Sequence, residues 1–308
     1  MPIRIPNDLP ARPVLEAEGV SVMSHETAAR QDIRPLRIAL LNLMPTKINT
    51  ETQFARLIGA TPLQVELTLV RMSEHVSRNT SAAHMQEFYR PWRDVATERF
   101  DGLIVTGAPI ELLDFEDVDY WGELRTIFDW CGRHVHSLLA VCWGAQAALY
   151  HFHGVPKHAL TEKRFGVFNH LNRLPGAPMM RGFSDRFPIP VSRWTEVREE
   201  DLPKDAGLEV LMSSPHAGLC LVADPANRAH YMFNHIEYDT DTLAGEYDRD
   251  VEAGRAPRLP LDYYPEDDPA RPPSNRWRSH AHLFFSNWIN EMYQTTPFEM
   301  HAIGTGTE

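Results

Sequence analysis

The chain predicts an α/β fold with a mostly parallel central sheet flanked by helices. Three observations carry that prediction. Leu36–Leu43 (LRIALLNL) and Gly102–Pro109 (GLIVTGAP) are continuous apolar runs, the pattern of strands buried on both faces. Helix-like segments lie between such runs, and strands alternating with helices need crossover connections, hence parallel pairing. His136–Tyr150 (HSLLAVCWGAQAALY) reads as a strand passing directly into a helix.

Taken in order, residues 1–35 are rich in Pro and polar residues, and we read them as an irregular arm packing on the body. After the first strand, Thr50–Gly59 reads as a helix, with Thr50 and Glu51 suited to its first turn and Gly59 to its end. Leu63–Val70 alternates and reads as a second strand, and Ala82–Ala96 as a helix. Tyr120–Trp130 is a further predicted helix. Residues 155–230 show Pro-containing turns and short strand-like runs at Leu208–Met212 and Leu219–Ala223, followed by an apolar strand at Tyr231–Phe233. Thr240–Ala253 reads as a helix closed by Gly254, residues 255–275 as a proline-rich acidic loop, and Trp277–Tyr293 as an amphipathic helix. The division expected is an arm over 1–35, one α/β domain over 36–300 and a disordered tail over 301–308. No internal repeat is visible, which excludes solenoids and propellers.

Composition narrows the class. The chain has 308 residues, 43% hydrophobic and 23% charged, so it can bury a sizeable core. Its net charge of −12 argues against nucleic acid and anionic membrane surfaces as partners. No apolar run reaches the roughly 20 residues of a membrane span, and the opening MPIRIPNDLP lacks a signal-peptide core. Three scattered cysteines do not make a disulfide framework, so the reading is cytoplasmic.

Cys142 carries the chemistry. Ala140-Val141-Cys142-Trp143-Gly144 has small-x-Cys-x-Gly spacing between a buried strand and a helix. A sharp turn there exposes the thiol over the sheet edge, and the helix N-terminus behind it favours a thiolate. The N–H groups starting at Trp143 can hold an oxyanion. The plain alternative is a core cysteine, which is the reading kept for Cys131 and Cys220. Downstream, an apolar strand ends in His235-Ile236-Glu237. A histidine at a strand's carboxyl end faces the same edge, and a carboxylate two residues on can fix its tautomer. Alone, His-x-Glu arises easily by chance among 15 histidines.

The Cys turn followed by His-x-Glu resembles the class I glutamine amidotransferase-like fold, a flavodoxin-like arrangement, here with N- and C-terminal extensions. The segments LNLMPTKINTETQFARLIG, FDGLIVTGAPIELLDFEDVDYW, VCWGAQAALYHFHGVPK, HIEYD and NRWRSHAHLFFSNWIN are more specific. They resemble the homoserine O-acyltransferase family of methionine biosynthesis over essentially the whole chain. That resemblance implies a ping-pong reaction: an acyl-coenzyme A acylates Cys142, coenzyme A leaves, and the homoserine hydroxyl attacks the thioester while His235, held by Glu237, takes its proton. It implies that Lys163 and Ser192 contact the amino-acid substrate, that Arg249 binds its carboxylate, and that Lys47 lies beside the oxyanion. It also implies a homodimer. Read by themselves, Lys163 and Arg249 are equally well solvated charges, and Arg249 has acids on both sides.

In the family, the residue after GAP-x goes with donor choice, glycine with succinyl and glutamate with acetyl. Here it is Glu111. A carboxylate in the acyl pocket repels the distal carboxylate of a succinyl group, so the expectation is acetyl-coenzyme A with L-homoserine. If Glu111 points to solvent it selects nothing. Residue 144 is Gly where some members carry Ala, and 236 is Ile where some have Pro. No dinucleotide or P-loop motif is present. The pairs His134/His136, His151/His153 and His280/His282 lack partners at metal spacing, so no metal and no tightly bound cofactor are expected. A succinyl-transferring enzyme, a glutaminase domain and a non-catalytic binding relative are the rival readings.

Overall fold

Successive side chains of a strand point to opposite faces, and the central strands use both faces for burial. The computed structural model describes residues 3–18, 22–23, 34–75, 79–254 and 257–304. From the amino end come β1 (Ile3–Arg4), α1 (Ala11–Ala17), β2 (Val22–Met23), β3 (Leu36–Leu41), α2 (Lys47–Ile58) and β4 (Val65–Arg71). Next are α3 (Ala82–Phe88), β5 (Arg90–Pro91), α4 (Trp92–Val95), β6 (Phe100–Val105), α5 (Trp121–His134), β7 (Val135–Val141) and α6 (Trp143–His153). The remainder is β8 (His158–Asn172), β9 (Arg186–Glu196), β10 (Glu209–Ser214), β11 (Gly218–Asp224), β12 (Ala229–Met232), α7 (Thr242–Glu252) and α8 (Arg278–Thr295).

All the described strands join one sheet in the order β2-β1-β4-β3-β6-β7-β12-β11-β10-β8-β9, with β5 beside β4. Pairing is parallel from β2 to β12 and antiparallel from β12 to β9. In β3, Ile38 and Leu40 face one core while Ala39 and Leu41 face the other. In β7, Leu139 and Val141 take the first side, Leu138 and Ala140 the second. The first core is covered by α1, α2 and α8 through Leu15, Phe54, Phe285 and Trp288, the second by α5 and α6 through Leu124, Phe128 and Leu149. This double burial is why the strands read as unbroken apolar runs rather than alternating ones.

Several boundaries differ from the sequence expectation, each for a local reason. The helix expected over Ala82–Ala96 is interrupted: Tyr89 is extended and Pro91 follows, so the chain makes the short β5 before α4. Pro91 has no N–H to continue the helix and pushes the residue before it, Arg90, out of the helical region, which produces this break. Within 1–35, the described residues are more ordered than an irregular arm: β1 adds to the sheet edge at β4, and Leu9, Ala11 and Leu15 are buried against the α2 side. The rest of that segment, 1–2, 19–21 and 24–33, lies outside the described residues. At the other end, Met300–Ala302 forms a 3-10 turn and Ile303 is buried, while 305–308 lie outside the described residues. The largest difference is the long antiparallel pair β8/β9, where only turns and short runs were expected. It forms a wing beyond β10 that carries two of the candidate site residues, Lys163 and Ser192.

Candidate active site

β7 and β12 are neighbours in the parallel part of the sheet, with Val141 opposite Met232. The chain leaves both strands at the same carboxyl edge, where α/β folds place their ligands. Cys142 is the first residue after β7. Its N–H donates to the Met232 carbonyl at 2.7 Å, a last ladder bond tying the two strand ends together. Its φ of 51° and ψ of −118° are strained for a residue with a side chain. That strain buys the sharp turn from β7 into α6.

The turn demands small neighbours. A Cβ on Gly144 would stand 2.6 Å from the Thr106 carbonyl oxygen and 2.9 Å from that of Val105. A Cβ on Gly107 would stand 3.0 Å from the Cys142 Cβ. Glycine at 144 therefore does more than fit the turn: it lets α6 start directly against the end of β6. The first N–H groups of a helix have no intrahelical acceptor. Those of Trp143 and Gly144 are thus presented beside the sulfur, an arrangement able to hold an oxyanion.

His235 lies three residues beyond β12. Its N–H donates to the Pro190 carbonyl of β9 at 3.0 Å, fixing the backbone. Its Nδ1 donates to Glu237 Oε1 at 2.7 Å, which leaves Nε2 for the thiol side. Cys142 lies close enough to the imidazole to influence its charge. Burial opposes a charge on His235, yet the neighbouring Cys142 and Glu237 outweigh it and raise its pKa well above the ordinary value. The Tyr238 ring stacks on the imidazole, centroids 4.1 Å apart and planes 17° off parallel. Three groups thus hold one ring: Glu237 at its edge, Tyr238 on its face and β9 at its backbone.

Beside this triad lies a polar cluster built from three elements. Glu246 of α7 accepts hydrogen bonds from Lys163 of β8 at 3.1 Å, from the Ser192 hydroxyl of β9, and from the Tyr238 hydroxyl at 2.7 Å. Burial opposes ionisation of Glu246, but Lys163, both hydroxyls and His235 hold its carboxyl below the ordinary range. Lys163 also reaches Asp250 at 3.5 Å and sits 4.0 Å over the Phe165 ring. Arg249 contacts Asp250 at 3.3 Å and is otherwise largely exposed, its side chain 62% accessible. The structure therefore brings Lys163, Ser192 and, through Asp250, Arg249 together. Sequence reasoning missed Glu246, Tyr238 and Asp250. The available signal was the helical spacing of Glu246, Arg249 and Asp250, which puts the three near one face of α7.

Glu111 occupies the turn after β6. Burial raises its carboxyl pKa; its own N–H and the charges of His235 and Lys163 pull it back, while Glu246 pushes it up. The residue is half-buried, and its carboxylate feels the charges of His235 and Lys163. Lys47, at the start of α2, donates to the carbonyls of Asn42 at 2.6 Å and Met44 at 3.2 Å. Its hydrogen bonds thus go to the loop after β3, two strands from Cys142. Burial lowers its pKa to about 8, with Glu51 opposing and Arg71 adding to that shift. The histidines of the i, i+2 pairs meet other partners: His151 bonds Asp129 at 2.8 Å, His153 bonds Asp224 at 2.6 Å and His136 bonds Thr295 at 2.8 Å.

The fold is an α/β fold of the glutamine amidotransferase-like kind. A glutamine amidotransferase from Thermotoga maritima superposes with a TM-score of 0.54 at 11% identity, covering 85% of this chain and 100% of that one. A glutamine amidotransferase from Methylobacillus flagellatus gives 0.52 at 14% identity, covering 84% and 95%. Likeness at that identity shows the fold alone. The sequence comparisons go further. The family model described as homoserine O-succinyltransferase matches residues 2–298. A protein of Rhizorhabdus wittichii named homoserine O-acetyltransferase is 64% identical over 306 residues, 99% of this chain and 95% of that protein. One of Brucella canis with the same name is 61% identical over 304 residues, 99% of each. The chain belongs to the homoserine O-succinyltransferase family.

Proposed function

We propose that this protein is a homoserine O-acetyltransferase, an acyltransferase that moves an acetyl group from acetyl-coenzyme A to the hydroxyl of L-homoserine. The observation that carries the reading is the Cys142–His235–Glu237 chain at the ends of adjacent strands, with the half-buried Glu111 on the turn after the neighbouring strand β6.

The chemistry proceeds in two transfers. The Cys142 thiolate attacks the donor carbonyl carbon, and the Trp143 N–H takes up the developing oxyanion, with Lys47 adding positive charge only from a distance, two strands away along the sheet edge. The bond to the coenzyme A sulfur breaks, and protonated His235 gives that sulfur its proton. The homoserine hydroxyl then attacks the Cys142 thioester while His235 Nε2 takes its proton. The bond to Cys142 breaks, O-acetylhomoserine leaves, and the thiolate–imidazolium pair is restored. Glu237 keeps Nδ1–H fixed and balances the imidazolium charge through both steps. Arg249 and Lys163 offer cations for the homoserine carboxylate, and Ser192 contributes a hydroxyl at the same place. Glu246, already an acceptor for three donors, offers an oxygen to the substrate ammonium.

Donor choice rests on Glu111. A succinyl group would bring a second carboxylate against it in a site with little water, and acetyl has no such charge. The same reading takes coenzyme A as a passing co-substrate, not a resident cofactor, and places a homodimer in the cytoplasm. No helix among the described residues is long and apolar enough to cross a membrane.

The test is product formation from homoserine with acetyl- or succinyl-coenzyme A as competing donors. Acetyl transfer dominates in the natural chain, and Glu111→Gly moves preference toward succinyl. A natural chain that favours succinyl, or a Glu111→Gly variant with an unchanged donor ratio, contradicts the donor assignment. Glutamine hydrolysis without acyl transfer contradicts the activity itself.

A further inference from the structure

The turn that carries Glu111 is poorly anchored by its own side chains. Leu112 and Leu113 are 65% and 47% exposed. Within the turn, the Ile110 N–H donates to the Ala108 carbonyl at 2.9 Å and the Leu113 N–H to the Ile110 carbonyl at 3.1 Å. The carbonyls of Glu111 and Leu113 instead converge on one ammonium, Lys157 Nζ, which donates to Glu111 O at 2.6 Å and also to Leu113 O.

Lys157 is itself well fixed. It follows Gly154, whose φ of 67° ends α6, and the buried Val155. Its Nζ sits 4.4 Å over the centroid of the Phe115 ring. Phe115 is buried and stacks on Trp121 at 5.3 Å and on Tyr150 at 4.7 Å. Partial burial lowers the pKa of Lys157, and Asp114, Glu111 and Glu116 oppose the fall. Two carbonyls aimed at one cation fix two peptide planes, and those planes set where the Glu111 side chain leaves the backbone. Cys142 precedes α6 and Lys157 follows it, so the same helix registers the turn against the nucleophile.

We propose that Lys157 is a positioning residue for donor selectivity, clamping the 110–113 turn so that Glu111 stays directed into the acyl pocket. This rests on the donor reading given above for Glu111. Lys157 touches neither donor nor acceptor in this account and acts only through the turn.

The test compares the natural chain with Lys157→Gln, Lys157→Arg and Glu111→Gly, by two readouts. One is hydrogen exchange of the peptide spanning 108–114, with distant core peptides as the control for folding. The other is the ratio of Cys142 acylation rates from acetyl- and succinyl-coenzyme A. Lys157→Gln is expected to speed exchange in that peptide alone and to cut acetyl preference by about tenfold, within the range that small misplacements at a site cost. Lys157→Arg, which can still donate to both carbonyls, restores part of both. Unchanged exchange in Lys157→Gln overturns the clamp. Faster exchange with an unchanged donor ratio, while Glu111→Gly does shift it, overturns the link to selectivity. If Glu111→Gly leaves the ratio unchanged, the donor reading has failed and the selectivity role of Lys157 falls with it, whatever the exchange shows.

Discussion

Glu111 is a carboxyl in a crowded field. Because burial raises its pKa, it takes up a proton at a higher pH than an ordinary glutamate, whose value is about 4.3. Protonation removes the charge that disfavours a succinyl donor. The succinyl-to-acetyl rate ratio should therefore rise as pH falls from neutral toward that ordinary range, and the rise should vanish in Glu111→Gln. Taking a ratio cancels the pH effects on the steps that both donors share. A ratio flat with pH would mean that Glu111 does not face the acyl group. At this scale Cys142 and His-x-Glu were legible because each motif is local: a turn needs small residues at fixed offsets, and a tautomer needs a nearby carboxylate. Glu246 was not legible. It gains its meaning from Lys163 and Ser192, which are 83 and 54 residues away in the chain. Only the fold brings them together.

The elements show the same division. The parallel strands β3, β6 and β7 were readable because burial on both faces leaves an unmistakable apolar run. The β8/β9 wing was not, because β8 mixes exposed charges with a buried stretch and has no clean period over its 15 residues. Helix α8 crosses the first face of the sheet so closely that a Cβ on Gly102 of β6 would stand 2.9 Å from both Met292 Cε and Trp288 Cη2. Trp288 also donates to the Ser137 hydroxyl at 2.9 Å, which fixes its ring. Gly102→Ala should therefore cost about 1–3 kcal/mol as an overpacked contact. In a Met292→Ala background the cost of the same change should shrink, because the flexible neighbour has been removed. A thermal or denaturant double-mutant cycle reads this directly, and additive costs would show that Met292 does not press on Gly102.

Across the whole molecule, the segment before β3 and the segment after α8 are joined at one buried carboxylate. Asp101 is fully buried at the start of β6. It accepts from Arg34 Nη1 and Nη2, both at 2.9 Å, from the Arg37 N–H at 2.8 Å and from the Thr296 hydroxyl at 2.7 Å. Arg34 also donates to the Pro297 carbonyl at 3.0 Å. The segment entering β3 and the segment leaving α8 are thereby held to the same strand. Asp101→Ala strands these donors, and removing one partner of a buried pair typically costs about 3–5 kcal/mol. Equilibrium denaturation should show a loss of that order, with the site's own distances untouched; a loss under about 1 kcal/mol, the range of a surface pair, would mean the network does not bind the ends together. A second tie joins α1's end to α2 and to the segment after Glu237: Arg56 bonds Glu18 and reaches Asp239 at 2.7 Å.

Both transfers in the proposed reaction pass through one covalent intermediate. The most direct test is the intact mass of the protein mixed with acetyl-coenzyme A in the absence of homoserine, followed by peptide mapping. The expected result is a gain of one acetyl group on the peptide holding residue 142, its absence in Cys142→Ala, and its release when homoserine is added. A chain that turns over both substrates yet never carries that group, or that carries it on another side chain, would contradict the account.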